Sequence, residues 1–446
     1  MRRRVRVRGA LVRCTLALLA LLTFGCDPAT PGLDAGTRPR DAGPDASLGR
    51  DGGGTDASAS DAFVPDASSA ADAGMLDEDG DGVDSTTEVA CGTDPTDSAS
   101  HPDPEVLLGA GTDADPYRLC FGRHLALFAA LANASSSSAR LGRDIDVTDI
   151  DVPALGPVGD PFVAVLDGAG HAISNLHVGA TGAGRMGLIE NLAEGGVVRD
   201  LTFTDAVAIE GPVVVGTSAG LLERVTVHAT TVSSGSHIGI LVGSNGGEVI
   251  ECASHGSIEA GNHVGGLVGA NSGTIRRSAS TAAVRANNRV GGLVGSQFSL
   301  IEECWASGMV DGTGMDAGGL VGTAFSGSIV DSYALGDVTQ SQVAGRAGGL
   351  VGGTSADVVI ERVYARGRVT GGVSAGVVGD SLATSPPTAC FFDASTGGSD
   401  ALCTGLTPAQ MTMASSFVGF DFVTPIWVLA PAMRSSPVLA WETARP

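Results

Sequence analysis

The 446-residue sequence predicts an all-β chain: a right-handed parallel β-helix, preceded by a disordered acidic linker and a small calcium-loop segment. Three observations lead there. Glycine makes up 66 residues and aromatics only 4 %, a composition suited to tight turns and small stacked side chains. The string Gly-Gly-Leu-Val-Gly and its variants recur, with the last Gly at Gly216, Gly243, Gly269, Gly295, Gly322, Gly352 and Gly379. A nearly constant period of this size marks a solenoid. Between the copies, small and branched residues alternate while helical periodicity is lacking, so each period holds short strands and turns.

The ends of the chain carry different information. Lys+Arg of 26 against Asp+Glu of 49 gives a net charge of −23, and every basic residue is Arg. That balance excludes a general nucleic-acid binder, because little would neutralise phosphates. Residues 1–25 read as an export signal. Arg2, Arg3, Arg4, Arg6, Arg8 and Arg13 precede an apolar run, Thr15 to Phe24, that is too short to span a bilayer. Gly25-Cys26 resembles a bacterial lipoprotein signal, although Thr23 and Phe24 depart from that pattern. The resemblance implies lipidation of Cys26 and a membrane partner through that anchor, with ordinary secretory cleavage as the alternative. Residues 26–75, rich in Asp and Ala, bury too little to offset their ordering entropy and read as a tether.

Residues 76–104 hold the sharpest local motif. Asp77, Asp79 and Asp81, then Gly82 and Glu88, fit D-x-D-x-D-G-x5-E. Carboxylates at positions 1, 3 and 5, the carbonyl of Val83 at 7 and a two-oxygen Glu88 at 12 suit one Ca²⁺ in a structural role. With Gly92 to Pro95 following, the segment resembles one thrombospondin type 3 calcium repeat of bacterial surface proteins.

The repeats, read with the I-x-x-S-x-A-x-G-x-V that follows them, resemble the GLUG motif of bacterial surface proteins, adhesins and some secreted proteases. Gly322 to Val338 is the nearest copy. Flanking pieces match such proteins too: Asp115 to Cys120, Arg143 to Asp146, Leu166 to Leu176, and a tail around residues 391–427. The domain reading is an N-terminal cap with first rungs over 105–185, repeats over 186–385 and a C-terminal cap over 386–446. His124 to Asn133 is expected as a helix over the first rung. The aromatic tail, with Phe417, Phe420, Phe422, Trp427 and Trp441, is expected to cover the last.

Aligning the copies gives a register. Asp200, Arg224, Glu251, Arg277, Glu303, Asp331 and Arg362 form one column, an outward ladder of alternating charge with a single like pair, Glu303/Asp331. The next column, which includes Cys252 and Cys304, should face inward. Those two cysteines are two rungs apart and are expected free and buried. Cys390 with Cys403, and Cys91 with Cys120, are candidate disulfides in an exported chain, a connectivity that spacing leaves open.

The candidate ligand face is the column after that. Trp305, Tyr333 and Tyr364 stack there, flanked by Arg366 and Arg368, and can hold sugar rings if exposed or simply pack on one another. Catalytic patterns are thin. A β-helix lyase wants a basic proton acceptor, often Lys or Arg, and here Lys is absent and the Arg fall in ladders. A glycosidase needs two carboxylates across a cleft, whereas Asp311, Asp316 and Asp331 have turn or ladder roles. His228, His237, His255 and His263 read as falling in different columns, without metal spacing. The expectation is a non-enzymatic, membrane-anchored lipoprotein of the cell envelope, outer membrane or cell surface, that binds a glycan or an envelope protein. A structural scaffold and, less favoured, a polysaccharide-degrading enzyme are the alternatives.

Overall fold

The computed structural model describes residues 76–131, 133–179, 187–396, 398–429 and 436–444. The export signal, Cys26 and the tether lie outside the described residues. What is described is a parallel β-solenoid of about nine turns.

One column of strands carries the whole length. It starts at Tyr117–Leu119 on Ala139–Leu141 and continues through Val197, Leu221, Glu248, Thr274 and Leu300. It then runs through Ser328 and Val359 to the last rung, where Glu361 pairs with Thr388. Alternation sends Val198, Leu222, Val249, Ile275, Ile301 and Ile329 inward, all fully buried. The Gly-Gly-Leu-Val-Gly strings form a second aliphatic stack, Val242, Val268, Val294, Val321 and Val351 in strict register. Branched residues stacked rung on rung make this a continuous core.

The paired glycines have a steric reason. A Cβ on Gly292 would stand 2.1 Å from the carbonyl oxygen of Gly319, and one on Gly319 would stand 2.1 Å from that of Gly349. Each rung presses its backbone on the next where the chain turns, and only hydrogen fits. Beside this corner a buried amide ladder closes the turns. Asn245 Nδ2 donates to Asn271 Oδ1 at 2.8 Å, and Asn271 Nδ2 donates to Gln297 Oε1 at 2.9 Å. Removing one member would leave a neighbour's buried polar atom unpaired.

The charged column is a corner rather than a strand. Asp200, Arg224, Glu251, Arg277, Glu303, Asp331 and Arg362 all adopt the left-handed conformation, with φ between 46° and 54°. Such a conformation costs a non-glycine residue about 1–2 kcal/mol, and here it is met at one position of every rung. Ion pairs run along the column: Arg224 to Asp200 at 2.5 Å, Arg277 to Glu251 at 3.2 Å and Arg362 to Asp331 at 2.8 Å. Cys252 and Cys304 are buried and free on the inner side, and burial pushes the Cys304 thiol up to about 12.

The ends differ in part from expectation. Helix α1 (Ser85–Cys91) follows the acidic loop, and Cys91 is bonded to Cys120 at the start of the solenoid. Helix α2 (Gly122–Ala129) starts two residues before the expected span and ends four residues before its end, and it buries Leu125 and Phe128 over the first rung. At the other end Phe392 packs against Gly376, and Cys390 is bonded to Cys403. The aromatic tail reaches the last rung at Phe391 and continues along the flank. Phe417, Phe420 and Trp427 fold back along the side of the solenoid, against Tyr333, Tyr364 and Phe391.

Replacing Gly292 by Ala is expected to destabilise the protein by about 3 kcal/mol, the upper range for forced overpacking. Gly246→Ala, whose new Cβ would meet only the Ser218 carbonyl at 3.4 Å, should be close to neutral. Urea denaturation followed by far-UV circular dichroism separates the two, and equal midpoints would contradict the close-contact account.

Candidate functional site

The acidic loop is built by its own backbone. Gly80 and Gly82 donate their N–H groups to Asp77 Oδ1 and Oδ2 at 2.8 and 3.1 Å, and Val83 donates to Asp81 Oδ1 at 2.8 Å. These bonds turn the chain so that carboxylate oxygens of Asp77, Asp79 and Asp81 lie within 4.8 Å of one another. Asp84 caps α1 by accepting from the Thr87 N–H, and that helix carries Glu88, whose carboxyl feels the charges of Asp79 and Asp81. Glu88 is fully buried, and its Oε2, with Asp79 Oδ2 and Asp81 Oδ2, has no hydrogen-bond partner. Burial, then the charges of Asp79 and Asp81, pushes the Glu88 carboxyl above the usual range. Asp79, Asp81 and Glu88, three acids with unpartnered buried oxygens, together with Asp77 offer the kind of oxygen donors a hard cation takes.

The aromatic column predicted as a ligand face is not an open surface. Trp305, Tyr333 and Tyr364 do stack on the outer side, with ring centroids 6.0 and 4.9 Å apart. Both tyrosines, however, are wholly buried. Trp427 packs on both, and Phe417 meets Tyr364 edge-on. Tyr333 Oη donates to Glu442 Oε1 at 2.7 Å, and Tyr364 Oη donates to the Pro437 carbonyl. Arg366 is turned to Asp393 at 3.4 Å, while Arg368 stays exposed and apart, its N–H on Asp337. The tail takes this face because three stacked rings form an apolar strip worth more covered than wet.

The acids considered for catalysis are held by arginines. Asp311 lies 3.7 Å from Arg285, Asp316 receives two bonds from Arg346 at 2.6 and 2.7 Å, and Asp331 pairs with Arg362.

An exposed aromatic pair does exist, one corner away. Phe298 and Phe325, each three residues after the last Gly of a repeat, stack with centroids 4.9 Å apart and planes within 7°. Phe298 keeps 41 % of its surface. Arg289 lies 5.1 Å from the centroid of Phe325, and its Nη1 is 2.7 Å from His263 Nε2. The opposite ring nitrogen of His263 meets Ser296 Oγ at 2.7 Å. Burial, Arg289 and His237 together hold the His263 imidazole down at about 4. Among the described residues Arg289 thus stands against the His263 ring and an aromatic face, with no carboxylate in an ion pair with it. The two repeat strings ending in Phe were visible in the sequence; the arginine beside them was not, because it comes from the strand before the turn.

The histidines also correct the sequence reading. His228 stacks on His255 and His237 stacks on His263, both with centroids 4.4 Å apart. They occupy two columns on neighbouring rungs, not four. The strands that carry them run in direct register, with His228 opposite His255.

The architecture defines the class, a parallel β-solenoid with stacked side-chain ladders. Within it, residues 313–339 match the family described as the GLUG motif. Among curated proteins, halomucin from Haloquadratum walsbyi is 32 % identical over 154 residues, which cover 31 % of this chain and 2 % of halomucin. The chain thus spans a small fraction of that relative. A solved structure from Bacteroides ovatus, described as a candidate immunoglobulin A1 protease, is similar with a TM-score of 0.45 and 19 % identity, over 75 % of this chain and 94 % of that one.

The histidine environment makes a measurable prediction. His263 has its folded value lowered to about 4 from 6.5, so its contribution to stability is present above pH 6.5 and is lost as pH falls toward 4. Arg289→Gln should move the His263 midpoint up toward 6.5 in an NMR titration. A midpoint that does not move would show that Arg289 does not govern this ring.

Proposed function

We propose that this chain is an exported, lipid-anchored cell-surface protein whose β-helix is a non-catalytic binding module for glycans that carry acidic sugars. One observation carries the reading: the exposed Phe298/Phe325 stack with Arg289 beside it, a cation without a carboxylate in a chain of net charge −23. A pyranose offers a flat C–H face to an aromatic ring, and a sugar carboxylate or sulfate matches the planar guanidinium fork. The GLUG motif and the likeness to halomucin support a place at the cell surface. The long regular face of the solenoid suits an extended polymer. A glycan array probed with the mature protein tests this. Acidic glycans should be retained, and Phe298→Ala and Arg289→Gln should each weaken binding by about tenfold, the loss of one charged or stacking contact. Silence across the array, or binding indifferent to both substitutions, leaves a scaffold for envelope proteins as the better reading.

The proposal extends to the acidic loop, with Asp77, Asp79, Asp81, the Val83 carbonyl and Glu88 holding a structural Ca²⁺. The ion would join their unpartnered oxygens and stiffen the passage from tether to solenoid, next to the Cys91–Cys120 bond. The pH dependence has a definite sign. Without the ion, Glu88 is raised in the folded state, so loop stability is greatest at low pH and falls as pH rises through its titration. Calcium needs the carboxylate. Its affinity in isothermal titration should therefore fall as pH drops from 7 into the acid range, with proton release on binding, and Glu88→Gln should remove most of it. An affinity independent of pH and of Glu88 would place calcium elsewhere.

A further inference from the structure

The two stacked histidine pairs share a geometry and differ in what their nitrogens do. In the His237/His263 pair both nitrogens of His263 are engaged, one by Ser296 and one by Arg289, and the guanidinium sets a positive charge beside the ring. The His228/His255 pair is arranged differently. His255 has Nδ1 2.7 Å from Thr281 Oγ1 on the next rung. Among the described residues, no hydrogen bond engages its Nε2 or either nitrogen of His228, which is exposed. No arginine is bonded to this pair. On the preceding rung, Thr204 and Asp205 occupy the bulge opposite His228, since the register passes from Val227↔Phe203 to Ala229↔Ala206.

From this difference we propose that His228 and His255 form a two-imidazole site for a divalent transition-metal ion such as Ni²⁺ or Zn²⁺. Two parallel imidazoles on adjacent rungs, with centroids 4.4 Å apart and planes within 19°, are near the spacing one ion requires. Metal–nitrogen bonds of about 2.0–2.1 Å bring two ligating nitrogens to about 3 Å with their in-plane lone pairs converging, so one ring must make a turn out of the parallel stack toward the other. His228, being exposed, is free to make it. The Thr281 hydroxyl holds the His255 ring in place; in the tautomer whose Nδ1–H donates to that oxygen, the lone pair stands on Nε2, the arrangement that orients metal-bound histidines. Imidazole suits Zn, Cu and Ni rather than Ca²⁺, which separates this site from the acidic loop. Water completes the coordination, and Asp205 supplies a negative charge on the side of the preceding rung.

The test uses the full chain saturated with Ca²⁺, so that the acidic loop is occupied, and titrates it with Ni²⁺ by calorimetry and by histidine-edited NMR. One saturable site is expected, with shifts confined to His228 and His255. His228→Ala and His255→Ala should each weaken it by tenfold or more. Thr281→Val should weaken it several-fold through the lost orientation while leaving the thermal melt close to that of the parent. His237→Ala is the internal control, since it removes an equally stacked ring from the pair that Arg289 occupies, and it should leave Ni²⁺ affinity within about twofold. The proposal is overturned if no saturable site appears, if His228→Ala leaves affinity unchanged, or if His237→Ala weakens it as much. Because His228 is exposed, its variant keeps the fold, and a lost site in that variant is a lost ligand.

Discussion

The parallel backbone ladder, which sets each rung about 4.8 Å from the next, is the constraint on which the rest of this molecule depends. It brings every side chain into van der Waals or hydrogen-bond distance of the residue one period away. A column must therefore be filled by residues that tolerate a copy of themselves or a partner of opposite character. The valine stacks, the Asn245–Asn271–Gln297 ladder and the Phe298/Phe325 pair solve this with like residues. The corner column solves it with alternating charge. Glycine is the solution where backbones themselves meet.

Where a column breaks its own rule, the structure adds something. Glu303 and Asp331 are adjacent acids in the charged corner. The C-terminal segment docks at this fault: Trp427 Nε1 donates to Asp331 Oδ1 at 2.9 Å, and Trp441 Nε1 donates to the Glu303 carbonyl at 3.0 Å. Asp331 is also paired with Arg362. Glu303, by contrast, has its carboxyl raised by burial, with Glu302 and Asp331 adding to the shift against the pull of Arg277. The tail thus covers an apolar strip and a polar irregularity at once, which accounts for its lateral course. Breaking a buried charged hydrogen bond of this kind costs more than an exposed ion pair is worth.

The same spacing creates the surfaces to which function is assigned. A ladder of rings can be a packing device or a binding platform, and the deciding quantity is what lies over it. Tyr333 and Tyr364 are covered by Trp427, whereas Phe298 remains open. A pair of histidines can be a structural stack or a ligand pair, and there the decision rests with hydrogen bonds from adjacent columns. Ser296 and Arg289 close one pair, and Thr281 poises the other.

Much of the architecture was determined by the sequence alone, because a solenoid is close to one-dimensional: each repeat contacts its neighbours, so a period in residues becomes a period in space. The inward placement of Cys252 and Cys304, the charged column and the oxygen donors of residues 77–88 were legible for that reason, being local or separated by one repeat. Tertiary structure alone decided what non-repeating segments do. Nothing in the period states that Phe417 and Trp427 fold back on Tyr333 and Tyr364, since those contacts join positions more than fifty residues apart and follow from shape and burial. Nor does the period reveal that Arg289 stands over Phe325. Those juxtapositions depend on how the chain turns its corners, and a corner is set by backbone geometry that residue spacing does not encode.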